Sequence, residues 1–418
     1  MTSAARISVS DTRQPSHAAA LTITALALAA FAYVTTESLP IGLLIPMSKG
    51  LHATEPAIGF LVTAYAAVVV VASVPLTLLT RNLPRRLVLS CVLAAFVVTS
   101  LVSATAASYS MLLWARMATA LSQALFWALV IPTVAELVPA AARGRVIATV
   151  FGGVSLANVA GVPGATWLGQ AAGWRMSFVA IGAFAFLALM TTATLLPSAA
   201  SASDELVSAD APNRHRFWLV VALTVVVTTG SFGAYTYLAP FLSQVTHLGA
   251  SAVGPVLLVR GAAGVLGVVA AGLLVGRRPS TALTAPVACQ AVALLGLFVL
   301  GYSAGLATGL VALTGFAFAA FTAALGGRVL ELAPGRIDLA AAIISTAVNV
   351  GISAGALGGG LLIEAVGVRD TVLAASILSA VGLVLAIDKR PRRVVPATVP
   401  QATSHGPALP TLGTSHEA

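Results

Sequence analysis

Charge is scarce in this chain. Asp, Glu, Lys and Arg together make up 8% of its 418 residues, where a soluble domain carries about a quarter. That is too few charged side chains to coat a water-facing surface of this size. Cysteine is nearly absent: Cys91 and Cys289 each stand alone in an apolar stretch, which excludes a disulfide framework and a cysteine-built metal site. The six His residues lie in tails, linker or loops, so neither a buried His relay nor a His-ligated metal is expected. No glycine-rich phosphate-binding loop occurs, which argues against direct coupling to ATP. Neither a metal nor a cofactor is expected.

What the chain does have is apolar sequence. Apolar types reach 58% and the mean hydropathy is +0.99, values suited to a lipid bilayer as the solvent. A helix needs about 20 mostly apolar residues to cross it, because every backbone polar group must be satisfied within the segment. Such segments fall near 20–46, 57–79, 87–106, 110–136, 146–169 and 176–196, then near 217–243, 253–275, 282–302, 306–333, 339–364 and 371–388. The expected fold is therefore an all-α membrane protein of twelve transmembrane helices in two six-helix halves, 20–196 and 217–388. Residues 1–19 read as an N-terminal tail, 197–216 as a Ser/Ala-rich soluble linker, and 389–418, rich in Pro, Thr and Ser, as a disordered tail. Arg6 and Arg13 precede an apolar run from Leu21 to Met47. It is longer than the roughly 7–15 residues of a signal peptide's apolar region, so it reads as the first span.

The net charge of +9 could point to nucleic acid, but no groove-reading motif accompanies it. The basic residues instead report orientation. With the N-terminus inside, the inner segments hold Arg6, Arg13, Arg81, Arg85, Arg86, Arg143, Arg145, Arg214, Arg216, Arg277, Arg278, Arg336, Lys389, Arg390, Arg392 and Arg393, whereas the outer loops hold Lys49, Arg175 and Arg369. This bias places both termini in the cytoplasm of a multi-pass protein of the cell (inner) membrane.

The two halves repeat each other. AELVPAAARGR at the end of the fourth span matches LELAPGRID at the end of the tenth, Glu136 over Glu331 and Pro139 over Pro334. Gly173-Trp174-Arg175 matches Gly367-Val368-Arg369, and Pro40 in the first span matches Pro240 in the seventh. The offsets are all about 195 to 200 residues. Six spans return the chain to the same side, so the repeats are parallel, about an axis along the membrane normal.

Over roughly residues 20–388 this layout resembles the major facilitator superfamily. Thr35-Thr36-Glu37-Ser38-Leu39-Pro40-Ile41-Gly42-Leu43-Leu44 resembles the first-helix signature of the proton-linked drug and sugar exporters. Leu76-Thr77-Leu78-Leu79-Thr80 with Arg85-Arg86, Ala124-Leu125-Phe126-Trp127 and Ala234-Tyr235-Thr236-Tyr237-Leu238-Ala239-Pro240-Phe241 are similar to the bacterial sugar efflux branch. Chloramphenicol-type exporters share several of these features. One stretch departs: where the superfamily's loop between helices two and three carries an acid and a second glycine, this chain has Arg81 and Pro84.

Ionisable groups inside a bilayer are costly and face the bundle interior or a wet cavity. Away from the inner ends of the spans, three such groups occur: Glu37, Arg116 and Arg260. Glu37 and Arg116 lie at matched depth and are expected to pair. A carboxylate that loses its cationic partner in a low-dielectric site takes up a proton, which is what a proton antiporter requires; the alternative is a pair that only fixes packing. The resemblance implies the same coupling role, since an Arg in helix four belongs to the family's proton-linked motif. Arg260 could bind substrate, meet a carboxylate of another helix, or snorkel outward. Arg116, Gln123 and Trp127 share one helical face. With Tyr33, Tyr235 and Tyr237 they are candidates for a cavity lining that binds hydroxyls and sugar faces, or for core packing. Asn158 and Asn349 are amides that could line the same cavity. Gly161, Pro163 and Gly164 in the fifth span, and Gly355 and Gly358 in the eleventh, form small-residue stripes for close packing and gating. The fifth-span stripe is similar to the family's antiporter motif.

The expectation is a secondary active transporter, not an enzyme. It would act as a monomer and export a sugar or sugar-like solute in exchange for protons by alternating access, with a multidrug or chloramphenicol-type exporter as the alternative. Its partners would be the solute, protons and the lipid bilayer, not nucleic acid.

Overall fold

The computed structural model describes residues 17–80, 82–139, 142–197, 208–209, 214–275, 278–332 and 335–387. The expected 389–418 tail, most of the 1–19 tail and most of the 197–216 linker lie outside these residues, as does Arg81. The side chain of Glu331 also lies outside the description.

Among the described residues, twelve helices are long and apolar enough to cross a membrane. They are His17–Gly42, Glu55–Thr80, Arg85–Ala104, Tyr109–Glu136, Arg145–Ala172, Trp174–Leu195, Arg214–Thr236, Ala250–Leu274, Ser280–Leu300, Ala304–Gly326, Ile343–Ala365 and Val368–Ala386, called here the first to twelfth spans. Large apolar side chains stand on their outer surfaces, Leu79 at 77% and Val384 at 74% exposure among them. Such a surface needs lipid, not water, around it. Beyond the helices, Ser208 and Ala209 pair antiparallel with Arg336 and Gly335 in a two-residue bridge.

Prolines and glycines shape the spans. The first apolar run is not one helix. It breaks at Leu43 (φ −112°, ψ 19°) and continues as Leu44–Leu51. The seventh breaks likewise at Tyr237 (φ −107°, ψ 24°) before Leu238–Gln244. Pro40 and Pro240 stand near these breaks, where each removes a backbone donor. In the fifth span a π-helical turn over Ala157–Gly161 precedes Pro163. Such turns mark positions where the regular ladder has been interrupted.

The repeat is visible in detail. Gly173 and Gly367 both take φ +92°, a conformation that suits glycine alone. The next residue but one, an arginine, then reaches back to the preceding hairpin in each half. Arg175 donates to the Ala106 carbonyl at 2.7 Å over the Trp174 ring, and Arg369 donates to the Phe298 carbonyl at 3.1 Å over the Phe298 ring. Glycines let the fifth span lie on the first and the eleventh on the seventh. A Cβ on Gly161 would meet Thr35 and Phe31, and one on Gly355 would meet the backbone of Thr229 and Gly233. Gly164 and Gly358, expected in the same stripes, have nothing within 4 Å of such a Cβ. Three residues on from the seam glycine leaves each turned about 60° away from it, and in the eleventh span the seam runs on through Gly359, whose Cβ would meet Gly233 and Tyr237.

Contacts between the first and second six spans gather at the end opposite the termini. Ser353 of the eleventh span donates to the Thr63 carbonyl of the second at 3.1 Å. The Tyr237 hydroxyl lies where a Cβ on Gly59 or Gly360 would fall. Gln244 donates to Glu55 at 3.3 Å and Gln170 to the Ala250 carbonyl at 2.7 Å. The eighth span packs on Ala157–Gly161 and Val162–Ala172 of the fifth, rather than on Arg143–Leu156. The bundle is thus closed at its far end. At the terminal end Arg85 pairs with Glu136 at 2.5 Å, and Arg86 Nε donates to the Ala193 carbonyl at 3.0 Å within the first six spans.

Candidate functional site

The polar interior of the first six spans is built around Pro40. A proline cannot donate to the carbonyl four residues earlier, and that carbonyl belongs to Thr36. Arg116 of the fourth span fills the vacancy: Nη1 donates to Thr36 O at 2.9 Å and Nη2 to Glu37 O at 3.1 Å. Its guanidinium lies over the Tyr65 ring, 4.8 Å from the centroid, and the residue is 1% exposed.

The expected contact between the Glu37 carboxylate and Arg116 is not formed. No salt bridge joins the two side chains, in contrast to Arg85 and Glu136 at the terminal end. The Arg116 fork is taken up by main-chain carbonyls, and the carboxylate finds another partner. Gln123 Nε2 donates to Glu37 Oε2 at 2.8 Å, while the Tyr65 hydroxyl donates to Gln123 Oε1 at 2.7 Å. The donors therefore run in one direction, from Tyr65 through Gln123 to Glu37, and end on a carboxylate that accepts. Among the described residues its second oxygen, Oε1, has no hydrogen-bond partner, and it is not sealed from accessible space. A proton arriving at Glu37 has that atom to bind.

The remaining candidates in this half separate. Tyr33 is fully buried, stacked on Phe96 at 4.0 Å between centroids, and donates to Ser122 Oγ at 3.0 Å. It is a core side chain in this conformation. Trp127 is half-buried and edge-on to Phe126 at 5.4 Å. Asn158 is exposed and Asn349 half-buried. Each amide donates to the carbonyl one turn back, to Val154 O and Ser345 O, both at 3.0 Å.

In the second six spans the tyrosines part company. Tyr237 is 1% exposed and donates to Ala356 O at 3.0 Å within the far-end closure. Tyr235 instead lines a small cavity with Ser231, Arg260, Gln290 and Thr314, walled by apolar side chains such as Leu294 and Val311. The Arg260 guanidinium lies 3.7 Å from the centroid of the Tyr235 ring.

Sequence reasoning passed over Tyr65, Ser122, Ser231, Gln290 and Thr314. Tyr65 and Gln290 carried a usable signal, since each is a polar group in the middle of an apolar run. The role of Pro40 was also open to inspection, because a proline names the carbonyl it leaves free.

Twelve apolar helices among the described residues, in two repeats with buried charge inside, have the architecture of a membrane transporter. The sequence matches the family model described as "Major Facilitator Superfamily" over residues 26–313, and the chain belongs to that superfamily. Its fold is similar to that of a bacterial homologue of the human lysosomal transporter Spinster in an inward-facing, unoccupied conformation. That match has a TM-score of 0.69 at 16% identity, covering 89% of this chain and 97% of that one. It is also similar to the human organic anion transporter TETRAN, with a TM-score of 0.64 at 17% identity, covering 89% of this chain and 100% of that one.

Proposed function

We propose that this protein is a proton-coupled exporter whose proton site is Glu37. The supporting observation is the position of Glu37, a carboxylate inside the bundle with one oxygen held by Gln123 and the other open. In a proton antiporter the state that loads solute from the cytoplasm must release its proton first. A far-end-closed bundle in which Glu37 only accepts hydrogen bonds fits that state. The basic clusters favour a cytoplasmic position for the terminal end, opposite the closed one. Opening the far end would draw Leu44–Leu51 away from Leu238–Gln244 of the second half. A bend of the first span at its Leu43 break would then shift the Thr36–Glu37 backbone against Arg116, so the partners of Glu37 change with the side that is open.

The solute follows from the resemblance to the sugar efflux branch, with a chloramphenicol-type drug as the second reading. Gln123 and Tyr33 are occupied within the first half, which leaves Trp127 and the second half to meet the solute.

Transport into everted vesicles tests direction, coupling and solute together. Labelled sugars and chloramphenicol are compared with and without an uncoupler. Accumulation of a sugar that collapses with the uncoupler is the expected result. Accumulation that ignores the uncoupler would remove proton coupling, and preference for chloramphenicol would move the protein to the drug reading.

A further inference from the structure

Arg260 is a cation that the coupling scheme does not use. Its stem passes the tenth span at Gly315, where a Cβ would collide with it, and its guanidinium reaches the cavity beside Tyr235. Among the described residues it makes no hydrogen bond and no salt bridge, and none of its nitrogens is sealed from accessible space. Between Arg214 and Asp388 the acidic residues are Glu331, Asp338, Glu364, Asp370 and Asp388, all at or beyond span ends. The interior of this half therefore holds a guanidinium with five donors and no acid to receive them. A ring contact offsets only part of the cost of a charge at this depth.

The surroundings are prepared for a polar guest. Gln290 is 1% exposed, and its Nε2 donates to Val227 O at 3.1 Å and Ser379 Oγ at 3.0 Å. Its Oε1 has no partner, so it is left to accept from a hydroxyl or a water. Ser231 and Thr314 bring hydroxyls to the same cavity, whose other walls are apolar. The cavity has room for a water-sized group and is only partly enclosed, which suits the polar head of a solute whose body stays outside it.

We infer that Arg260 binds the carboxylate of the transported solute, so that the substrates are small organic monocarboxylates, acidic sugars included. The fork of Arg260 grips the two carboxylate oxygens side by side, with the Tyr235 ring fixing its plane. This assignment rests on the transport reading above and narrows its solute to one that carries a carboxylate, so that among the labelled sugars of the vesicle assay an acidic sugar is the one expected to accumulate.

Thermal unfolding of the detergent-purified full chain at fixed ionic strength tests it without any gradient. The probes are glucuronate against glucose, benzoate against benzyl alcohol, and chloride and inorganic phosphate. At least one organic carboxylate should raise Tm while its neutral partner does not. Arg260→Gln should weaken half-saturation at least tenfold, and Arg260→Lys, which keeps the charge and loses the fork, should fall between. Unliganded melting first shows that each variant folds, and the Lys variant carries the test if the Gln variant does not. The inference is overturned by equal shifts from charged and neutral members, by no shift from any carboxylate at millimolar concentration, by a shift that survives in Arg260→Gln, or by shifts from chloride or phosphate alone. Carboxylate binding that persists while vesicle transport ignores an uncoupler would refute the proton reading and leave this one standing.

Discussion

The two halves share a scaffold and differ in what they bury. Gly173 and Gly367 have the same backbone angle, Arg175 and Arg369 make the same kind of reach, and a glycine stripe joins the same pair of spans in each half. The polar interiors do not correspond. In the first half the buried guanidinium comes from the fourth span, is filled by two carbonyls, and stands beside an acid. In the second it comes from the eighth span and has only a ring beneath it. The scaffold is thus free to repeat while the interiors differ, in the reading proposed above one serving the proton and one the solute.

If that division holds, the largest effect belongs to Glu37. Glu37→Gln keeps the volume and a hydrogen bond to Gln123 but cannot bind and release a proton at neutral pH. Proton-driven accumulation in vesicles should fall at least a hundredfold, while carboxylate binding to the purified protein stays within about threefold, a difference below about 0.7 kcal/mol. Equal loss of both would break the division. Arg116→Lys comes next. Lys presents a point charge where the fork satisfied two carbonyls, so transport should fall roughly tenfold. Wild-type transport in that variant would show that charge alone is needed at this site.

The outline of this arrangement was legible in the sequence. The twelve spans, the parallel repeat and the depth of Glu37, Arg116 and Arg260 all follow from apolar runs and the cost of charge in lipid. The partners were harder to read. Opposite charges at one depth pointed to a Glu37–Arg116 ion pair, but hydrogen-bond demand decided otherwise, because Pro40 left a carbonyl that had to be satisfied. Trp127 and Gln123 share a face with Arg116, yet a face says nothing of whether a neighbouring Tyr65 already occupies the amide. Tyr235 and Tyr237 are two residues apart, and the helix break at Tyr237 sends one towards the cavity and the other into the far-end seam. Periodicity cannot anticipate a break of that kind.

The glycine seams permit a finer comparison. Alanine at Gly355 would press on the backbone of Thr229 and Gly233, which cannot rotate aside, whereas alanine at Gly161 would meet the side chains of Thr35 and Phe31. Gly355→Ala should therefore cost about 1–3 kcal/mol of stability, as overpacking does, and Gly161→Ala less. Gly358→Ala, facing open space, should leave Tm unchanged. Thermal unfolding in detergent ranks the three, and a destabilised Gly358→Ala would place a contact where none is seen.

The smallest expected effect isolates the one link that distinguishes the two interiors. Pro40→Ala returns an N–H to residue 40, which then competes with Arg116 for the Thr36 carbonyl. Hydrogen bonds inside membrane proteins contribute about 0.6 kcal/mol on average, so coupling should weaken about threefold and overall stability should hardly change. The matching substitution, Pro240→Ala, returns a donor to the Thr236 carbonyl in a half whose buried arginine makes no hydrogen bond to a carbonyl among the described residues. It should leave both proton coupling and carboxylate binding as they are. Vesicle transport at two external pH values, measured side by side for the two variants, compares them directly. A coupling defect from Pro240→Ala as large as that from Pro40→Ala would mean that the prolines act through the helix breaks they share, and that the freed carbonyl under Arg116 is incidental.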